Sequence, residues 1–145
     1  MTNERASDDL QQRAQRAAAA MFADDQASQG LGIVIEAVSP GRASARMRVT
    51  PAMVNGHAIA HGGYIFLLAD TAFAFACNTL DPAVAGAAEI VFVEPARVGD
   101  ELIADAVERT TFGRNGVYDV TVRRADGTVI AEFRGHSRRV QSRAD

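Results

Sequence analysis

One carboxylate in this chain stands where packing alone would not put it. The stretch Tyr64-Ile65-Phe66-Leu67-Leu68-Ala69-Asp70-Thr71-Ala72-Phe73-Ala74-Phe75-Ala76-Cys77-Asn78 is apolar nearly all round, the pattern of a buried helix. Asp70 sits at its centre, with no Lys or Arg one turn away. A buried ionised carboxylate costs several kcal/mol, in rough terms, unless it is paired or hydrogen-bonded. An acid kept there against the packing interest is a candidate general base or nucleophile. The structural alternative is an Asp that bonds backbone or Thr71 at the mouth of the core. Gly62-Gly63 opens the same helix. The first N–H groups of a helix have no partner within it and lie at the positive end of its dipole. With no side chain in the way, they can hold a carbonyl oxygen as it becomes an oxyanion, or the glycines merely let the chain enter the helix closely. Asn55, ahead of them, can orient water or hydrogen-bond the carboxylate, or be an Asn-Gly turn residue with Gly56.

Spacing constrains these groups. Asp70 follows Gly62 by eight residues, which is about 12 Å along one helix at ~1.5 Å per residue. A single substrate carbonyl cannot touch both groups of one chain. Either the two do not act together, or the acid of one subunit faces the glycines of another across a two-fold axis, with two shared sites per dimer.

The elements that must position these groups are legible from periodicity. Residues 4–24 carry Leu10, Ala14, Ala17, Ala18, Met21 and Phe22 at helical spacing, and a linker follows to Gly30. The period then changes to two, across the turn Ser39-Pro40-Gly41, for a hairpin with one wet face. A loop over 51–60 feeds His61-Gly62-Gly63 and the apolar helix, 63–79. Strands are expected over 84–94, 101–109, 115–124 and 128–140, with Asp126-Gly127 marking a hairpin between the last two. Four consecutive strands after the helix imply an antiparallel sheet and an α+β class. Each strand has one apolar face to bury, and the second helix is the only partner of sufficient size. The whole chain, 1–145, reads as one domain, with 1–27 an N-terminal helix and linker and 141–145 a loose tail.

Composition sets the boundaries of function. The chain has 145 residues, 48% apolar and 23% charged, with one cysteine and a net charge of −3. Disorder is excluded, and the body lacks the basic excess that nucleic acid requires. A lone cysteine fits a reducing compartment. No apolar run spans a bilayer and no secretory signal opens the chain, so a cytoplasmic location is expected and no membrane partner. His57 and His61 are four apart, but the Glu of a zinc helix is absent (position 58 is Ala), so no metal is expected. Cys77 reads as a core thiol. Gly135-His136-Ser137-Arg138-Arg139 fails as a nucleophile elbow because the fifth residue is Arg and no helix follows. Gly30-Leu31-Gly32 lacks a third glycine at position 35 and does not support a dinucleotide site.

Asn55-Gly56-His57, His61-Gly62-Gly63 and the helix Leu68–Asn78, with Phe92-Val93-Glu94-Pro95, Gly99-Asp100, Gly116-Val117-Tyr118-Asp119 and Phe133-Arg134-Gly135-His136-Ser137 further on, resemble the PaaI-type hotdog-fold acyl-CoA thioesterases of phenylacetate degradation. The resemblance runs from about residue 15 to residue 140. It implies a hotdog fold, an antiparallel sheet wrapped around one long central helix, with an extra N-terminal helix. It implies subunits paired edge to edge and dimers joined as a homotetramer. Asp70 would be nucleophile or general base, and the Gly62 N–H of the other subunit, with Gly63 as a helper, would polarise the thioester carbonyl. Asn55 would position water or the carboxylate, and His61 would shape the loop. The substrate would be an aryl-acetyl or related acyl-CoA; coenzyme A is then part of the substrate, and no cofactor is needed. Some relatives carry a hydroxyl on the strand after the helix. Gly86-Ala87-Ala88 has none, so that helper is missing or replaced by Thr71. Arg114, His136, Arg138 and Arg139 form a basic cluster near the last hairpin, either a solvated face or a grip on CoA phosphates; Arg114, His136 and Arg138 are the candidates. Two rivals are a non-catalytic acyl-CoA sensor on the same fold and a hotdog hydratase or dehydratase. The second needs a His beside the acid, and the helix has none.

Overall fold

The computed structural model describes residues 2–140; the expected tail, 141–145, lies outside them. Helix α1 (Thr2–Ala23) is followed by α2 (Gln26–Gly30), the hairpin β1 (Val34–Ser39) and β2 (Arg42–Arg48), helix α3 (Gly62–Cys77), and strands β3 (Ala83–Phe92), β4 (Glu101–Phe112), β5 (Asn115–Arg124) and β6 (Val129–Arg139). The six strands form one antiparallel sheet in the order β1-β2-β4-β5-β6-β3. The sheet wraps α3, which is the hotdog architecture expected from the sequence, with α1 as its N-terminal addition.

Alternation fixes which face of the sheet meets the helix. Ala43, Ala45, Met47 and Val49 on or just after β2, Leu102, Ala104 and Ala106 on β4, Tyr118, Val120 and Val122 on β5, and Ala131 and Phe133 on β6 are all buried. They close on Ile65, Leu68, Ala69, Ala72, Phe73, Phe75 and Ala76 of α3. Small residues let the strands come close. A Cβ at Gly135 would lie 2.7 to 2.8 Å from the ring of Phe73, so glycine there is the seat of that ring. Phe73 also packs on Tyr118 and Phe133, with ring centroids 5.6 and 5.8 Å away.

Four details depart from the sequence reading. The residues read as a linker contain α2, because the Asp25 side chain caps it by accepting the Ser28 N–H at 3.0 Å. The alternation of β1 breaks at a bulge between Ile35 and Ala37. Strand β3 lies at the edge of the sheet and is largely exposed, with Val84, Val91 and Phe92 open to solvent. Finally, α3 is not covered all round. Gly63, Phe66, Leu67, Asp70 and Ala74 form a stripe that the protomer leaves partly open, at i, i+3, i+4, i+7 spacing. The sheet, with Phe22 of α1 and Ser28 of α2, covers most of the rest of that helix and stops at this stripe.

Candidate active site

Helix α3 begins in a short structured loop. A 3₁₀ turn at Pro51–Met53 leads to a bridge between Val54 and Ala60. Asn55 ties the intervening turn together. Its Oδ1 accepts the N–H of His57 at 2.9 Å and of Ile59 at 3.4 Å, and its own N–H reaches the Ile59 carbonyl at 2.8 Å. Ala58 takes the left-handed conformation, φ 58°, that this turn demands, an uncommon state for a residue with a Cβ. Asn55 is thus the turn residue, and its Nδ2 has no partner in the protomer among the described residues, so it can donate outward.

His61 is the N-cap of α3. Its Nδ1 accepts the Gly63 N–H at 2.9 Å, and its carbonyl accepts the Tyr64 N–H at 3.0 Å. The backbone is pinned on both sides: His61 N–H donates to the Met53 carbonyl at 2.8 Å and Ala60 N–H to the Ala96 carbonyl at 2.7 Å. The result is selective. Gly63 has spent its N–H on His61, while the Gly62 N–H donates to nothing in the protomer among the described residues. One amide at the positive end of α3 therefore remains available for an oxygen.

Asp70 lies half-buried on the open stripe two turns further along. Among the described residues it accepts no side-chain hydrogen bond and joins no ion pair. Burial alone pushes its carboxyl above the usual Asp range, the direction expected of a general base working near neutrality. Thr71 points elsewhere. It is buried, and its Oγ1 sits 3.1 Å from Ser28 Oγ of α2. Ser28 was not singled out from the sequence; its signal was the Asp25 cap, which turns it inward.

The basic residues are divided. Arg114, on the β4–β5 turn, lines a small cavity of about 140 Å³ on the helix side of the sheet, with Cys77, Tyr118, Ser137 and Arg139. Arg139 is engaged there, donating to the Gly113 carbonyl at 2.7 Å. His136 and Arg138 alternate with the buried Ser137 and so lie exposed on the outer face. Arg114 and the His136–Arg138 pair are thus not brought to one surface. Cys77 is buried and its thiol is pushed up to about 12, chiefly by desolvation, which suits an inert core thiol. No group of three or more metal-ligating side chains occurs among the described residues. None of their helices is long and apolar enough to cross a membrane.

Both ends of α3 are tied to the edge strand. At its start, a Cβ on Gly62 would lie 2.8 Å from Cζ of Phe92. At its end, Asn78 caps the helix and exchanges hydrogen bonds with Ala83, at 2.9 and 3.1 Å. The helix that carries Asp70 and Gly62 is therefore held to the exposed strand β3 at both termini.

Known proteins share this fold. Residues 57–131 match the Thioesterase superfamily. The chain is 42% identical over 132 residues to the acyl-coenzyme A thioesterase PaaI of Escherichia coli, covering 90% of this chain and 94% of that protein. It superposes on the E. coli PaaI protein from the phenylacetic acid degradation operon with a TM-score of 0.90, covering 92% of this chain and 97% of the other. A mutant of the phenylacetic acid degradation protein PaaI from Thermus thermophilus is 34% identical with a TM-score of 0.78, covering 80% and 100%. The chain belongs to the thioesterase superfamily, as a hotdog-fold thioester hydrolase of the PaaI type.

Proposed function

We propose that this protein hydrolyses an acyl-CoA, of aryl-acetyl or related type, to the free acid and CoA in the cytoplasm, at sites shared between two copies of the chain. The supporting observation is the pair of unsatisfied groups on α3. Among the described residues, Gly62 offers a free N–H and Asp70 a half-buried carboxylate without a partner. They are separated by about 12 Å of helix, too far for one carbonyl. The open stripe of α3 and the exposed edge of β3 supply the surface on which a second copy completes the site.

The chemistry then follows from the parts. The Gly62 N–H of one subunit receives the thioester oxygen. Asp70 of the other takes a proton from water as the water oxygen adds to the carbonyl carbon, and collapse of the tetrahedral oxyanion expels the CoA thiolate. Alternatively the carboxylate adds first and expels the CoA thiolate, and water then cleaves the resulting anhydride to the free acid and the carboxylate; both routes use Asp70. Asn55 Nδ2 steadies the water or the carboxylate, and His61 holds the turn that aims Gly62. Arg114 is the residue we assign to the CoA phosphates, with no metal or redox group required by these steps. Pairing of two such dimers would give the homotetramer.

Subunit complementation tests this reading. Asp70→Asn and Gly62→Pro, which removes the donor, are each expected to be nearly inactive against a panel of acyl-CoAs assayed by CoA release. Mixed and refolded together, they form heterodimers with one intact site and regain a substantial fraction of activity. Hydrolysis by wild type without any recovery in the mixture overturns the shared site. Tight acyl-CoA binding with no hydrolysis by wild type favours a sensor instead.

A further inference from the structure

The end of β3 carries several exposed apolar side chains, and the aromatic one, Phe92, reaches the start of α3. Phe92 is 52% exposed, although it is aromatic and closes a strand whose partner residue, Ala131, is fully buried. Its backbone is fixed, because the Ile130 carbonyl accepts the N–H of Val93 at 2.8 Å and of Glu94 at 3.3 Å immediately beyond it. Its ring is seated on Gly62. The position a Cβ would take there lies 2.8, 3.2 and 3.4 Å from Cζ, Cε1 and Cε2. The tip of the ring thus occupies the space that a side chain would fill at the residue bearing the free N–H.

We propose that Phe92 is a specificity-determining wall of the acyl-thioester crevice, its ring setting the width available beside the carbonyl that Gly62 receives. This rests on the thioesterase reading above and adds a residue to it. A carbonyl oxygen bound to the Gly62 N–H brings its carbon, and the acyl carbon next to it, up to this ring. The ring also replaces water against the helix start, which strengthens a hydrogen bond made there. Two consequences follow from its position. The wall senses branching next to the carbonyl more than chain length. And Gly62 is glycine because any Cβ would push the ring into the crevice, not because its φ demands it.

Butyryl-CoA and isobutyryl-CoA separate these effects, since they are isomers that differ in branching at that carbon. The kcat/KM ratio of isobutyryl-CoA to butyryl-CoA is expected to rise about tenfold or more in Phe92→Ala, the lower end of what a single methylene decides in an apolar pocket. Phe92→Leu gives a smaller rise, and Phe92→Tyr, which keeps the ring, holds the wild-type ratio. Gly62→Ala keeps its N–H yet loses activity, and adding Phe92→Ala to it recovers at least tenfold of that loss. A ratio unchanged within threefold in both Phe92→Ala and Phe92→Leu overturns the assignment, as does a double variant whose losses simply multiply. Wild type inert toward every acyl-CoA would sink the thioesterase reading and this wall with it; wild-type turnover with an unmoved ratio sinks the wall alone.

Discussion

His61 Nδ1 lies 2.9 Å from the Gly63 nitrogen and accepts its hydrogen, which leaves Gly62 with the unspent amide at the start of α3. An imidazole used as an acceptor at Nδ1 carries its proton on Nε2. Selection of one donor out of two neighbouring glycines is thereby the work of a side chain just outside the helix.

Removing that acceptor frees the wrong amide. His61→Ala is expected to cost about 1 kcal/mol through loss of the N-cap. It should lower kcat by roughly 10- to 100-fold, since a donor misplaced by about 1 Å costs up to ~10²-fold. His61→Asn, a good cap, should recover the stability in a urea titration. Equal stability for His61→Ala and wild type would show that the bond contributes nothing to the helix start.

Asp70→Asn should reduce turnover by about 10²- to 10⁴-fold, the range for loss of a general base. Its effect on folding has the opposite sign. Burial raises the carboxyl's affinity for a proton, so the folded state favours the protonated acid. The stability this gives is complete below the ordinary Asp range and is lost as pH rises through the raised value. Asp70→Asn should therefore match wild type in acid and exceed it in melting temperature above that window. The acidic limb of the wild-type kcat profile should lie above the ordinary carboxylate range.

Gly135→Ala tests the seat of Phe73. The added methyl would meet a ring that is 1% exposed and packed on two other aromatic rings. With no room to shift, overpacking should cost about 1–3 kcal/mol, read as a lower denaturation midpoint. An unchanged midpoint would mean that the ring has space the structure does not show.

Thr71 is the residue the sequence offers in place of the helper hydroxyl that Gly86-Ala87-Ala88 lacks. Its bond to Ser28 points to a role in docking α2. Thr71→Val and Ser28→Ala should each cost about 1 kcal/mol. The double variant should cost less than the sum, because neither hydroxyl is then left alone. A fall in kcat for Thr71→Val at unchanged stability would return it to the reacting centre.

The strands and the long helix were legible because the period of apolar residues is a local property. Ala43, Ala45, Met47 and Val49 announce the face they bury. Asp70 and Gly62 stood out because each is the wrong residue for packing at its position. Relations between distant segments were not legible. Whether Arg114 and His136 share a surface depends on strand parity across a turn, and they do not. Phe92 stands in the sequence reading only as part of the Phe92-Val93-Glu94-Pro95 stretch, since nothing near it in sequence says that its neighbour is Gly62. The open stripe on α3 was equally hidden, because a helix apolar on every side gives no hint of which side the sheet leaves bare.

The two flanks of the sheet are not alike. Beyond β1 there is no further strand among the described residues, but α1 packs along it and Gln11 Nε2 has taken the Val38 carbonyl at 2.8 Å. β3, at the far side, has no such cover among the described residues. A subunit with a single sticky border can recruit one neighbour and then has nothing left to offer, so growth by strand addition halts at a pair. Cutting away α1 would bare the second border, and light scattering should then report ladders of unlimited length where the intact chain stays small.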